Sequence, residues 1–104
     1  MEHRKDAALD ALAELGAADM AFDETFNGNA DQRPAVEARL IACDRAFAHA
    51  IPGTAAGMRA KAAHVSKALD ALAAGDTLTE NGAALLKAHV ESLLAGALAF
   101  RVAE

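Results

Sequence analysis

Apolar residues recur every three or four positions along this chain, in four stretches that turn-forming residues separate. Such spacing puts the apolar side chains of each stretch on one face of a helix. The helices predicted in this way span residues 2–26, 32–50, 55–74 and 79–102. Connections as short as these are typical of helix pairs that run antiparallel. We therefore predict an all-α fold, an antiparallel four-helix bundle that forms one domain over residues 1–104.

The segment between helices two and three carries the strongest boundary signals in the chain. Pro52 disfavours helical geometry at the preceding residue and so ends helix two. Gly53 relaxes the turn, and Thr54 is a good N-cap for a helix that begins at residue 55. Gly75 is expected to end that helix. These residues divide the sequence into two similar halves, each of which predicts a helical hairpin.

The fourth predicted helix is apolar over well over half of its circumference. A helix of that kind either lies at the centre of a domain or is shared between two chains. In a four-helix monomer one of its faces would have no partner. The sequence therefore predicts a homodimer, with candidate interface residues Leu86, Val90, Leu94 and Leu98.

Charged residues near the apolar stripes suggest a structural ion pair. Lys61 lies close to the apolar stripe of helix three, so its stem can pack while its ammonium reaches a carboxylate. Asp19 falls inside the apolar arc of helix one, where a carboxylate must either be paired or lie at the edge of the apolar seam. We predict that Lys61 pairs with Asp19 or with Asp44.

Helix three is the one basic helix in an acidic protein of net charge −5. Arg59 and Lys67 are its candidate exposed contacts. The turn before it has about the length found in helix-turn-helix proteins, which makes a nucleic-acid binder the alternative function. The acidic balance argues against that function, as do flanking helices of about five turns. We therefore expect no nucleic-acid partner.

Thirty alanines and only four aromatic residues make the expected core thin. Alanine favours helices but buries little apolar area, and a thin core in a small chain is often completed by a second copy. The single Cys43 fits a reducing cytoplasm and falls on the apolar seam of helix two. The charged N-terminal residues do not resemble a signal peptide, and the apolar run 93–100 is short for a membrane span. We expect a cytoplasmic protein with no membrane contact.

No catalytic or metal-binding motif is present. The histidines stand one per helix, and none has a second histidine or a cysteine at the spacing that builds a metal site on a helix. His89 falls among apolar residues, where a histidine with satisfied hydrogen bonds in the core or at an interface is expected. A small-molecule carrier would require an inner cavity that His89 reaches. We expect neither an enzyme nor a cofactor.

Two segments carry a resemblance. Residues 42–47 read A-C-D-R-A-F and residues 51–62 read I-P-G-T-A-A-G-M-R-A-K-A. Together they resemble a group of short alphaproteobacterial-type helical proteins of unknown function, whose pattern is R-C-D-x-A-F/W followed by I-P-x-T-x-x-G-M-R-A-K-A. The arginine of the first segment is replaced by Ala42. The resemblance implies an accessory or mobile-element-associated protein, and no activity or site residue.

Taken together, these features favour a small non-catalytic module. It is expected to act through helix surfaces in protein interaction or regulation and to associate with itself. The mechanism would be burial of surface between chains and not chemistry.

Overall fold

A computed structural model describes residues 6–102, with side chains described as far as residue 99. It confirms the all-α, antiparallel four-helix bundle. The helices are α1 (Ala7–Glu24), α2 (Arg33–His49), α3 (Ala55–Ala73) and α4 (Glu80–Val102). Two short 3-10 turns, Thr25–Asn27 and Ala30–Gln32, lie between α1 and α2. The predicted boundaries are correct to within one or two residues except at the start of α1.

The first helix begins later than predicted. Asp6 has extended backbone geometry, and its side chain accepts hydrogen bonds from the amides of Ala8 and Leu9. It is therefore the N-cap, and α1 starts at Ala7 and not at Glu2. Residues 2–5 of the predicted helix lie outside the described residues.

The other boundaries follow from local chemistry. The Thr54 hydroxyl accepts from the amide of Gly57 and caps α3 as predicted. Gly28 and Gly75 adopt φ values of 132° and 106°, which L-residues with side chains rarely adopt. The chain can therefore leave α1 and α3 sharply, and each hairpin connection is short.

The four helices form two hairpins that meet at one end. Helix α1 packs against α2, and α3 packs against α4; the hairpins touch through α1 with α3 and α2 with α4. Most of the fully buried residues gather where the hairpins meet, around the connection 50–54. The molecule measures 51 × 42 × 18 Å, so it is wide and thin. We call this meeting point the junction.

Because the molecule is thin, much of its apolar surface is exposed to solvent. The accessible surface is 7164 Å². A compact chain of 10.7 kDa has about 5,500 Å². Leu94 and Leu98 are 58% and 65% exposed. By length and composition alone, Glu80–Ala99 of α4 also passes as a possible membrane span, and 22% of that window is buried.

Candidate functional site

Lys61 lies at the centre of the junction and is fully buried. Its Nζ donates to the backbone carbonyls of Phe47 (2.6 Å), Ala48 (3.0 Å) and Ala50 (2.8 Å), at the C-terminal end of α2. The last carbonyls of a helix have no partner within the helix and carry partial negative charge. A lysine from α3 therefore caps α2. Burial lowers the pKa of Lys61 to about 8, so the donating ammonium form still predominates at pH 7.

Ser92 of α4 joins this cluster. Its Oγ lies 2.6 Å from Lys61 Nζ, 2.9 Å from the Ala48 carbonyl and 3.0 Å from the His89 carbonyl. The three N–H donors of the ammonium therefore face four acceptors and one hydrogen is shared. In its ammonium form Lys61 is only a donor and has no electron pair with which to accept a proton. Lys61 is therefore not placed to take a proton from Ser92, as the base of a serine–lysine dyad must. The pair ties α4 to the end of α2.

The predicted ion pair of Lys61 is wrong. Neither Asp19 nor Asp44 contacts the ammonium, because three backbone carbonyls and a hydroxyl already take its hydrogen bonds. Asp19 is exposed, and Asp44 is half-buried. The two carboxylates line one groove between α1 and α2, together with Leu15, Leu40 and Ile41. Asp19 thus lies at the edge of the apolar face of α1.

Asp6 binds the start of α3 as well as the start of α1. Its Oδ1 caps α1, while its Oδ2 accepts from the amides of Gly53 (3.2 Å) and Thr54 (2.9 Å) and from the Thr54 hydroxyl. Burial alone would raise the pKa of Asp6, but the hydrogen bonds from Thr54 and the backbone amides outweigh it and lower the pKa. One carboxylate therefore caps α1 and also binds Thr54, the N-cap of α3.

Gly57 provides the space for this carboxylate. A Cβ at position 57 would overlap the Asp6 carboxyl group. A Cβ at position 96 would lie only 2.7 Å from Cγ of Pro52. The ring of Pro52 therefore packs against Gly96, and the carboxylate of Asp6 packs against Gly57. Both glycines belong to the hairpin of α3 and α4.

Replacing Gly57 with alanine is expected to lower the free energy of unfolding by about 2 kcal/mol, because Asp6 must leave its bonds to make room. Gly16 is the matched control, since a Cβ there meets nothing within 4 Å. Gly16→Ala should raise stability by about 0.5–1 kcal/mol through helix propensity. Urea denaturation of both variants checks the pair. Equal gains in stability would contradict the close approach of Asp6.

A cluster of three rings lies beside the lysine. The His89 ring is 4.9 Å from the Phe47 ring and 4.4 Å from the His64 ring, between centroids. His89 is 2% exposed, and neither of its ring nitrogens has a hydrogen-bond partner among the described residues. Burial, with smaller effects of His64, Lys61 and His49, lowers the pKa of His89 to about 4. The predicted core position of His89 is therefore confirmed, whereas the hydrogen bonds expected for its ring are not found among the described residues.

A small cavity of about 160 Å³ adjoins the rings. His64, His89 and Asp44 line it with alanine and leucine side chains, and Leu86 is among them. Over residues 6–102, no three histidine, cysteine or acidic side chains converge closely enough to hold a metal ion. The residues that line the cavity are thus mostly apolar, with two histidines and one aspartate among them.

The remaining predicted residues lie at the surface, with one exception. Arg59 and Lys67 are exposed on α3. On α4, Val90, Leu94 and Leu98 are exposed, whereas Leu86 is half-buried against the cavity. The interface predicted from sequence is therefore an exposed row of three residues.

Sequence reasoning missed three groups of this site. A helix predicted from residue 2 places Asp6 inside the helix, although an aspartate followed by Ala7 and Ala8 is also an N-cap signal. Ser92 carries no signal of its own in an apolar helix. The meeting of His64 with His89 depends on how α3 packs on α4, which periodicity does not specify.

No family model, curated protein or solved structure matches this chain.

Proposed function

We propose that the protein is a small non-catalytic interaction module that associates with itself through α4. The observation that supports this proposal is the row Val90, Leu94 and Leu98, which is 38%, 58% and 65% exposed. Successive members are four residues apart, so they form one stripe along the helix. The stripe lies opposite the face that carries His89 and Ser92 to the junction.

The amount of exposed surface fits a second copy. The chain has about 1,600 Å² more accessible surface than a compact monomer of its mass. A stable dimer buries about 800 Å² on each partner. The additional accessible surface is therefore larger than the area that each partner buries in such a dimer. Large exposed apolar residues contribute to this surface.

A lipid bilayer fits the same stripe less well. Lys87 and Glu91 pair at 3.5 Å near the middle of the apolar window of α4. A charged side chain at the centre of a bilayer costs about 2.5–3.5 kcal/mol even on the most permissive scale. Lys87 and Glu91 fall on the same helical face as the stripe, so a protein partner must leave their ion pair in contact with water, as polar groups at interfaces commonly are.

Replacing Leu94 with glutamate is expected to weaken the dimer about a hundredfold, because it buries a charge at the centre of the stripe. Light scattering and sedimentation over a dilution series measure the change. Leu69→Glu is the matched control, since Leu69 is 52% exposed on α3. That variant should dimerise like the parent.

Two results would contradict the proposal. One is a parent protein that stays monomeric at all concentrations. The other is parent protein that sediments with phosphatidylcholine vesicles while Leu94→Glu does not, which would assign the stripe to lipid.

The nucleic-acid alternative rests on Arg59 and Lys67, both exposed on α3. It predicts DNA binding whose affinity falls steeply with salt and is lost when both residues become glutamate. A mobility-shift titration at two salt concentrations distinguishes it from self-association. The net charge of −5 leads us to expect no shift.

A further inference from the structure

The exposed face of α4 carries the repeat of a coiled coil. Its residues recur at alternating spacings of three and four, and all of them are exposed: Ala84, Lys87, Glu91, Leu94 and Leu98. This is the spacing of the a and d positions, along which two helices pack side by side. We call these five residues the α4 seam. The free face of α4 therefore has the periodicity of a helix that pairs with another helix.

Two opposite charges occupy the middle of the α4 seam. Lys87 and Glu91 pair within the helix at 3.5 Å, and their side chains are 81% and 62% exposed. An ion pair as exposed as this one contributes little to stability, so both charges are free to bind a partner. A charged or polar residue in the seam of a coiled coil fixes how the second helix is aligned. These two charges therefore decide which alignments of a second helix are allowed.

The charges of the α4 seam are complementary to those of a second copy that runs antiparallel. When His89 lies at the midpoint of the pair, Lys87 of each copy lies opposite Glu91 of the other. The four charges then alternate in sign around the two-fold axis. A parallel pair in register would instead place each charge against its like, which suppresses such a pairing. Charge complementarity therefore favours the antiparallel pair.

The apolar members of the α4 seam agree with this alignment. It sets Leu94 of each copy opposite Ala84 of the other, a large side chain against a small one, as a closely packed seam requires. The overlap ends where Leu98 meets Glu80, the first residue of α4, and is about 28 Å long. A surface that matches itself under a two-fold rotation is the property of a symmetric dimer. A second copy of this chain is therefore the partner that fits.

We propose that the two α4 helices of a symmetric dimer run antiparallel, with Lys87 of each copy bound to Glu91 of the other. This proposal rests on self-association through α4 and adds the orientation and the register of the two helices. Leu94 and Leu98 supply buried apolar area, whereas the central charges stay in contact with water. Those charges therefore select the partner and its alignment more than they add to the affinity.

Single charge reversals test the register. Lys87→Glu and Glu91→Lys each place four like charges around the two-fold axis, so each variant should dimerise about tenfold more weakly than the parent, or worse. Mixed in equal amounts, the two variants should form a heterodimer about as tight as the parent dimer, because every charge again faces its opposite. Sedimentation over a dilution series measures these affinities. Lys67→Glu is the matched control, since it makes the same change of charge at an exposed position of α3 and should dimerise like the parent.

The double variant with both Lys87→Glu and Glu91→Lys tests the orientation. Alone it should dimerise like the parent, because its charges are exchanged and still face their opposites. Mixed with isotopically labelled parent in an antiparallel pair, each charge would face its like, so native mass spectrometry should show fewer mixed dimers than random assortment gives. A parallel pair would instead favour the mixed dimer, and that result would overturn the proposal.

The failure of this alignment can be told apart from the failure of self-association. If Leu94→Glu abolishes the parent dimer while both single charge reversals leave its affinity unchanged, association through α4 stands and the proposed alignment is wrong. If the parent is monomeric at all concentrations, both proposals are wrong. Circular dichroism of each variant confirms that the helices are intact, as expected for replacements of exposed side chains.

Discussion

Replacing Lys61 with methionine is expected to lower the free energy of unfolding by about 3 kcal/mol or more. Methionine keeps much of the length and apolar volume of the stem but has no donor. The carbonyls of Phe47, Ala48 and Ala50 would then lose the ammonium that binds all three. Because small domains are stable by only about 5–15 kcal/mol, this variant should be close to unfolding.

Urea denaturation followed by circular dichroism measures the loss, and Lys67→Met is the matched control. Lys67 is exposed on the same helix, so its replacement should change stability by less than about 0.5 kcal/mol. If Lys61→Met also cost less than about 1 kcal/mol, the last turn of α2 would not depend on α3 for its hydrogen bonds. Lys61 would then be a packed stem and not a cap.

The fold was predictable because the signals that define each helix are local in the sequence. Apolar residues at helical spacing give the four helices, and Pro52, Thr54 and Gly75 fix the ends around α3. These signals act between residues that are near in sequence. The start of α1 was misplaced because Asp6 caps the helix with a side chain whose second oxygen is held by residues 53 and 54. Sequence position alone does not reveal that distant partner.

The site was only partly predictable for the same reason. The stripe of α3 correctly put Lys61 near the core, but an ion pair was expected because a buried charge usually requires an opposite charge. In the structure the ammonium instead binds the backbone carbonyls at the end of α2. Every helix ends in such carbonyls, so the identity of the residues does not reveal them. Likewise, His64 and His89 lie 25 positions apart, and only the packing of α3 on α4 brings their rings to 4.4 Å.

The largest pH effect is expected from His89. In the unfolded chain its pKa is near the ordinary 6.5, and burial in the folded protein lowers the pKa to about 4. Between these values the unfolded state binds more protons, so stability must fall as the pH falls. A shift of that size corresponds to about 3 kcal/mol lost between pH 6.5 and pH 4. The charges of His64, Lys61 and His49 oppose protonation in the same direction.

The variant His89→Phe isolates this effect. Phenylalanine keeps a ring against Phe47 and has no titrating nitrogen, so its stability should stay nearly level from pH 6.5 to pH 4.5. Asp6 does not interfere in that window, because its lowered pKa means that its contribution is lost only at lower pH, as the pH falls through the folded value. Urea denaturation at pH steps compares the two proteins. Parallel curves would mean that His89 accepts a proton in the folded state, which requires water or a carboxylate at its ring and contradicts the burial described above.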